Sequence, residues 1–234
     1  MSRLIAMARA GLAHAEAGTI EQAEQIVRVP ASHYYDPGHW QLEMERVFRR
    51  LPLMLATSAE LPGPGSYKAT EAAGTPVLIT RDQQGAIRAF VNSCAHRGAQ
   101  IMDEGRGHAK RFTCPYHAWS YDHSGELTHI YCPRDFGELD KSQYGLVPLP
   151  AIERCGLIWV LIDPASKLDI DLFLAGYDSQ LANFHFEDWY YFDSRRVAGP
   201  NWKIAYDGYL DFYHLPILHR DTFGADTSNK ALYY

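Results

Sequence analysis

An α+β fold is what the sequence predicts, and three observations predict it. Apolar residues recur at helical spacing up to about residue 51. Short strand-like runs punctuated by turn residues fill roughly 66–165. Mixed helical and strand-like patterns then return to the end of the 234 residues.

The elements follow in order. Residues 3–28 carry Ala-rich helical spacing, and Thr19 with Gln22 three residues on offers a cap within "TIEQAEQIV". A second helix should open at "DPGHWQLEMERVFRR". Asp36 is a good capping type and Pro37 sits at the tolerated first position. Trp40, Met44, Val47, Phe48 and Leu51 then fall on one helical face. "ELPGPGSYKA" is Pro- and Gly-rich, which marks a loop and a change of structure. Strands are expected at "PVLIT", "AIRAFVN", "RFTCPY", "ELTHI" and "LIWVLID", with turns at "DQQG" (82–85) and "DHSG" (122–125). After "DPASKLD" (163–169), "IDLFLAGYDSQLANF" reads as helix and "YYFDSRRVAG" as strand. "NWKIAYDGYLDFYHLPILHR" reads as helix to about Leu215, disturbed by Pro216. The expected organisation is a helical segment at 1–60, an antiparallel β domain at 61–165, and the beginning of a further mixed domain at 166–234.

Composition narrows the function classes. The net charge of −6 argues against a nucleic-acid partner, which would require a basic face. No apolar run reaches the roughly 18 residues needed to cross a bilayer. The N-terminus lacks a continuous apolar core because Arg9, His14 and Glu16 interrupt it, so no signal peptide is read and a cytoplasmic location is expected. Four cysteines do not make a disulfide scaffold in a chain of this size, and closely spaced Cys and His in a reducing compartment point to metal.

One stretch concentrates that signal. Cys94-x-His96, seventeen residues, then Cys114-x-x-His117 supplies two thiolates and two imidazoles. Four such donors can bind zinc tetrahedrally. They can also hold a two-iron, two-sulfur cluster, with both thiolates on one iron and both imidazoles on the other. Each pair lies on a loop between expected strands, which favours two loop tips clamping a flat cluster. The remaining Cys132 and Cys155 are assigned to neither, with Cys155 read as a buried core thiol.

"CAHRGA" and "CPYHAWSYDHSGEL" resemble the cluster-binding motifs of the Rieske non-haem iron ring-hydroxylating oxygenases, large (alpha) subunit. Ala118 stands where that family commonly has Gly. The resemblance implies a Rieske [2Fe-2S] cluster on Cys94, His96, Cys114 and His117, and a helix-grip-like catalytic domain after the β domain.

A second constellation follows, Asp211-x-x-His214-x-x-x-x-His219. Two His and a carboxylate can form the facial triad of a non-haem Fe(II) oxygenase. On a helix, 211 and 214 share a face, and Pro216 can swing His219 inward. "NWK" (201–203) and "DFYHLPILH" resemble the start of the same family's catalytic domain. That resemblance makes His214 and His219 ligands of a mononuclear Fe(II). It makes Asp211 a hydrogen-bonding bridge toward His117 of a neighbouring subunit, and so the catalytic electron relay. Tyr206 and Asp207 stand where the family often has Glu-Asn. The family's third ligand, a carboxylate, lies far downstream, and neither Asp221 nor Asp226 matches its position. The sequence is therefore expected to correspond to the first half of the large subunit, inactive alone.

The expected role is a terminal oxygenase component. A reductase or ferredoxin would supply electrons, and the substrate would be apolar, most simply aromatic, with O₂. A homotrimer or hetero-hexamer is implied by the resemblance, with neither membrane nor nucleic acid as partner. The alternative is a Rieske electron-transfer module without oxygenase chemistry, and a zinc-stabilised binding module is a third reading.

Overall fold

The structure, a computed structural model, describes residues 3–20 and 22–224. Its contacts divide the chain into two units, Trp40–Ser194 and a second built from Met1–His39 with Arg195–Tyr234.

The first unit is a β assembly. Its strands are β1 (Leu53–Thr57), β2 (Ser66–Ala72), β3 (Thr75–Arg81), β4 (Ile87–Val91), β5 (Gly105–His108), β6 (Phe112–Thr113), β7 (Ser120–Tyr121), β8 (Leu127–His129), β9 (Pro148–Leu149), β10 (Ala151–Arg154) and β11 (Leu157–Val160). They form three sheets of order β1-β11-β10, β5-β2-β3-β4-β9 and β6-β7-β8, antiparallel throughout. The fold class and all five expected strand runs match this architecture.

"PVLIT" reads as a continuous apolar run because β3 is buried on both faces. Val77 and Ile79 pack into one core with Ile158 and Val160 of β11. Leu78 packs into the other with Phe90, Phe112, Trp119, Tyr121 and both cysteines of the paired motif. Successive strand side chains point to opposite faces, so one strand serves two cores.

The two turns read from sequence are one device used twice. In each, the glycine N–H donates to the carbonyl of Asp82 or Asp122, at 3.0 and 3.1 Å. Each Asp Oδ1 also accepts two backbone N–H groups, from Gln84 and Ala86 or from Ser124 and Glu126. Gly85 and Gly125 have φ of 82° and 79°, a region that glycine enters without steric cost.

Helices differ more from expectation. α1 spans Arg3–Ala17 and stops at Gly18, φ 65°, where Thr19 N–H donates to His14 O and Gly18 N–H to Ala15 O. This is a Schellman ending, so Thr19 closes a helix and does not cap the start of one. α2 (Ser32–Tyr35) is a single turn. Asp36 then caps α3 (Pro37–Glu43) as expected, its Oδ1 accepting His39 N–H at 2.8 Å. The helical path loosens into a π turn at Met44–Phe48.

The "IDLFLAGYDSQLANF" helix is broken. α4 (Ile170–Leu174) and α5 (Asp178–Leu181) are separated by Ala175 and Gly176 at positive φ. "YYFDSRRVAG" forms no strand, and residues 182–223 contribute no buried residue against which one could pair. α6 (Trp202–Leu210) ends five residues earlier than expected, where Asp211 turns extended at φ −84°, ψ 104°. Pro216 does not disturb that helix; it sits at the start of a second one, α7 (Leu215–Leu218), where its missing N–H costs nothing. Among the described residues no helix is long and apolar enough to cross a membrane.

Candidate metal centres

Two loops of the β unit carry the Cys/His pairs, and they share one hydrogen-bond pattern. Cys94 N–H donates to Ala99 O and Gly98 N–H to Cys94 O, both at 2.8 Å. Cys114 N–H donates to Trp119 O at 2.8 Å and Ala118 N–H to Cys114 O at 3.0 Å. Each loop thus closes on its own cysteine and needs a left-handed residue four positions on. Gly98 supplies it at φ 73° without strain, and Ala118 supplies it at φ 57° against its Cβ. That requirement explains why glycine is natural at position 118.

The donors are sorted by type. Cys94 and Cys114 are buried and free, and both belong to the same apolar core. The His96 and His117 rings lie edge to face, centroids 4.6 Å apart, each half-buried. Among the described residues no three His, Cys, Asp or Glu side chains converge where one ion would sit. A tetrahedral zinc site needs four donors around a single ion. A thiol pair beside an imidazole pair suits two irons, each taking one pair. His96 Nδ1 is buried with no hydrogen-bond partner, as a nitrogen reserved for a metal would be. The residues present fit a Cys₂His₂ two-iron cluster better than zinc.

Hydrogen-bond donors surround the Cys94 sulfur. Burial pushes the Cys94 thiol up, while Tyr121 and the His96 backbone N–H pull it back by hydrogen bonding to the sulfur. Tyr121 Oη lies 3.2 Å from Cys94 Sγ and accepts Ala95 N–H at 3.1 Å, which leaves its own proton free for the sulfur. Burial and the adjacent Cys94 hold the Tyr121 phenol protonated, well above its ordinary range. Burial, then the nearby His117 and Arg97, lowers the His96 pKa, which favours the neutral ring that binds metal. Asn92, almost fully buried, anchors the first loop: its Nδ2 donates to Met102 O at 2.7 Å and its Oδ1 accepts the Ile101 and Met102 N–H groups. Sequence reading passed over Asn92 and Tyr121, although Asn two residues before a ligand and Tyr seven after one were visible in the same stretch.

The other two cysteines are placed differently from each other. Cys155 is half-buried, not a core thiol. It forms with Gly156 the two-residue turn between β10 and β11, at φ 50° and 73°. A type I′ turn demands that conformation at both positions. Cys132 is exposed at φ 49° and lines an open cleft of about 510 Å³ with Cys114, Tyr116, His117, Tyr131 and Phe136.

In the second unit, α7 is bracketed by His214 at its start and His219 at its end. A spacing of five across this short helix brings the rings to 5.5 Å between centroids. Asp211 Oδ2 lies 3.2 Å from His214 Nδ1, and its Oδ1 accepts Tyr213 N–H at 2.8 Å. A carboxylate on one imidazole nitrogen fixes the tautomer and leaves Nε2 as the metal donor. Asp207 is engaged elsewhere, accepting the Tyr34 hydroxyl at 2.7 Å. Asp221 is exposed beside Arg220, and Asp226 lies outside the described residues.

Comparison with known proteins matches the two regions in which these residues lie. Residues 52–144 match the Rieske [2Fe-2S] domain, and residues 186–233 match the ring hydroxylating alpha subunit (catalytic domain). The glycine betaine monooxygenase oxygenase subunit of Chromohalobacter salexigens is 30% identical over 86% of this chain and 45% of its own length. The anthranilate 1,2-dioxygenase large subunit of Burkholderia cepacia is 34% identical, over 82% of this chain and 48% of its own. The benzene 1,2-dioxygenase alpha subunit of Pseudomonas putida is 32% identical, over 82% and 44%. The chain therefore spans just under half the length of these relatives. Among solved structures, a quaternary ammonium Rieske monooxygenase with L-carnitine superposes with a TM-score of 0.75 at 28% identity, covering 85% of this chain and 56% of that one. Naphthalene 1,2-dioxygenase from Rhodococcus sp. gives 0.71 at 27%, over 94% and 50%.

Proposed function

We propose, for a chain that belongs by its Rieske domain and the first part of its ring-hydroxylating catalytic domain to the alpha subunits of Rieske oxygenases, that the whole protein is a terminal oxygenase component. The observation that carries this reading is the Cys₂His₂ constellation followed by an Asp-backed His pair in one chain. An electron-transfer module alone has no use for the second set.

When bound, the cluster passes single electrons and the mononuclear iron activates O₂ for attack on an organic substrate. The chain's own residues then divide the work. Cys94, Cys114, His96 and His117 would hold the cluster, the thiolates and the imidazoles each acting as a pair. Tyr121 and the His96 N–H neutralise charge on the Cys94 sulfur. His214 and His219 hold the mononuclear iron from either end of α7. Asp211 accepts the His214 Nδ1 proton, orients that ring, and is the carboxylate through which a neighbouring subunit's cluster is reached. A reductase or ferredoxin feeds the cluster, and the working assembly is a homotrimer or hetero-hexamer.

Small aromatic substrates are the first reading, in keeping with the benzene and anthranilate enzymes among the relatives. Quaternary ammonium substrates are a second, favoured by the glycine betaine enzyme and the L-carnitine complex. Substrate-dependent O₂ uptake by the whole protein with its reductase, tested on benzoate-like arenes and on trimethylammonium carboxylates, separates them. For these 234 residues alone we propose that the cluster irons are held and no third iron is, because among the described residues no third donor joins the His pair and Asp211 in a metal-holding group, and Asp221 lies beside Arg220. Two irons per chain by titration is expected; a third, tightly bound iron lost in His214→Ala would overturn it.

A further inference from the structure

Among the described residues three buried side-chain nitrogens have no hydrogen-bond partner: His96 Nδ1, Trp119 Nε1 and Trp159 Nε1. Trp159 is half-buried on β11, against a separate core of Leu161, Ile170 and Leu174. The other two lie together, since the Trp119 and His96 rings stack at 4.8 Å between centroids and 10° between planes. A buried donor left without an acceptor costs its full desolvation, so nearly all of them in folded proteins are paired. His96 Nδ1 finds its partner in a metal. Trp119 Nε1 cannot, because the indole nitrogen is a donor only.

Strand register fixes the side on which Trp119 stands. β6 and β7 pair Phe112 with Tyr121 and Thr113 with Ser120. Cys114 N–H donates to Trp119 O at 2.8 Å, which carries the same register one pair further. Trp119 is therefore directly across from Cys114, where opposed side chains share a face with Cβ atoms about 5 Å apart. Tyr121, two residues along, is on that face too, and its hydroxyl lies 3.2 Å from Cys94 Sγ. Ser120 points the other way, its Oγ 2.9 Å from Thr113 Oγ1. Trp119 is 2% exposed and shares one core with Cys94, Cys114 and Tyr121. Phe136 and Tyr144 hold its ring edge-on at 5.6 and 5.7 Å. Neither cysteine sulfur accepts the indole N–H. What fits it is a further anionic acceptor on the face shared by the thiols and the His96 ring.

We propose that Trp119 is a hydrogen-bond donor to the cluster: its indole N–H bonds an inorganic sulfide and raises the reduction potential, adding to the Tyr121 hydroxyl on the Cys94 sulfur. This rests on the Cys₂His₂ cluster reading and deepens it by giving a redox-tuning role to a residue that is not a ligand. An added electron makes the sulfides more basic, so a donor held against one favours the reduced state.

The test uses the cluster-loaded chain grown with tryptophan carrying ¹⁵N at the indole nitrogen. Pulsed electron paramagnetic resonance of the dithionite-reduced cluster should show a weak ¹⁵N coupling beside the stronger ¹⁴N couplings of the two imidazoles. In Trp119→Phe, which keeps a ring to stack on His96 but has no N–H, the ¹⁵N coupling should vanish. Voltammetry should place the midpoint potential of that variant below the unaltered one, at equal iron and acid-labile sulfide content. A purely structural role for the ring would produce no ¹⁵N coupling. Should Trp119→Phe assemble no cluster, the labelled unaltered chain decides alone. A reduced, labelled chain without ¹⁵N coupling would overturn the proposal, the result expected if the N–H points at the face of the Phe136 or Tyr144 ring. So would an unchanged potential in a cluster-containing Trp119→Phe protein. Failure of the unaltered chain to assemble any iron–sulfur cluster, seen beforehand from iron and acid-labile sulfide, would overturn the underlying reading instead.

Discussion

The two ligand sets sit in contrasting surroundings. The Cys/His loops spring from short strands over a shared apolar core, and both cysteines, Trp119 and Tyr121 are nearly inaccessible. The Asp/His set lies at the ends of α6 and α7, within the stretch 182–223 that buries no residue at all. Yet each set places its donors by the same means: a backbone break of defined geometry. In the first it is a left-handed residue four positions after each cysteine, and in the second an extended Asp211 between two helices. The difference is in what holds the break. The cluster loops are locked by core side chains and by Asn92, whereas Asp211 and His214 are held by their own side-chain contact and by local backbone hydrogen bonds. On the proposed reading the first set supplies its four donors from one unit, and the second would need a further carboxylate to become a triad.

The largest effect should separate the two sets. Cys114→Ser should abolish the cluster, with visible absorption and acid-labile sulfide falling to background, because a hydroxyl is a poor donor to iron at neutral pH. His219→Ala should leave both at the unaltered level. Loss of the cluster in His219→Ala would break the separation.

Asp211→Asn sharpens the other side. In the whole protein it should retain both metals but lower turnover about 10- to 100-fold, the usual cost of removing a carboxylate that backs a metal-bound His. The informative readout is single-turnover reoxidation of the reduced cluster with substrate and O₂ present. Reoxidation at the unaltered rate would show that electrons do not pass through this residue.

Tyr121→Phe tests how far the first set is tuned. The hydroxyl stabilises the more negative, reduced state by donating to the Cys94 sulfur. Its loss should lower the midpoint potential by about 40 mV, taking about 1 kcal/mol for the bond and one electron. Voltammetry reads this directly, and an unchanged potential would mean that the hydroxyl proton points elsewhere.

The smallest effect is expected at Ala118→Gly. It relieves a left-handed Cβ clash but adds freedom to the unfolded chain, so the net gain should stay below about 1 kcal/mol. Thermal unfolding of the loaded protein would show a slight rise. A fall would mean that the Ala118 methyl packs usefully.

Strands and turns were legible because their signals are short-range. Asp82 and Asp122 make their turns with neighbours at most four residues away, and the β3 run is apolar because both faces are covered. The four candidate donors were legible as two pairs for the same reason, since each pair spans one loop. Helix ends were less so. Gly18 stops α1 where the Ala-rich pattern alone would continue, and Ala175 breaks α4 from α5 with no proline to announce it. The strand read at 190–199 failed because propensity needs a partner edge, and none pairs with it. Asn92 was passed over because its bonds to Ile101 and Met102 form only once the intervening loop has folded back.

The claim on which the rest depends is that Cys94, Cys114, His96 and His117 hold one two-iron cluster with mixed ligation. Electron paramagnetic resonance of the dithionite-reduced chain tests it most directly. The account predicts a rhombic signal with the low average g of a cluster whose reduced iron carries two imidazoles, together with hyperfine coupling to two nitrogens. The signal should persist in Cys132→Ser and Cys155→Ser. An all-cysteine signal, or stoichiometric zinc with no iron, would contradict it.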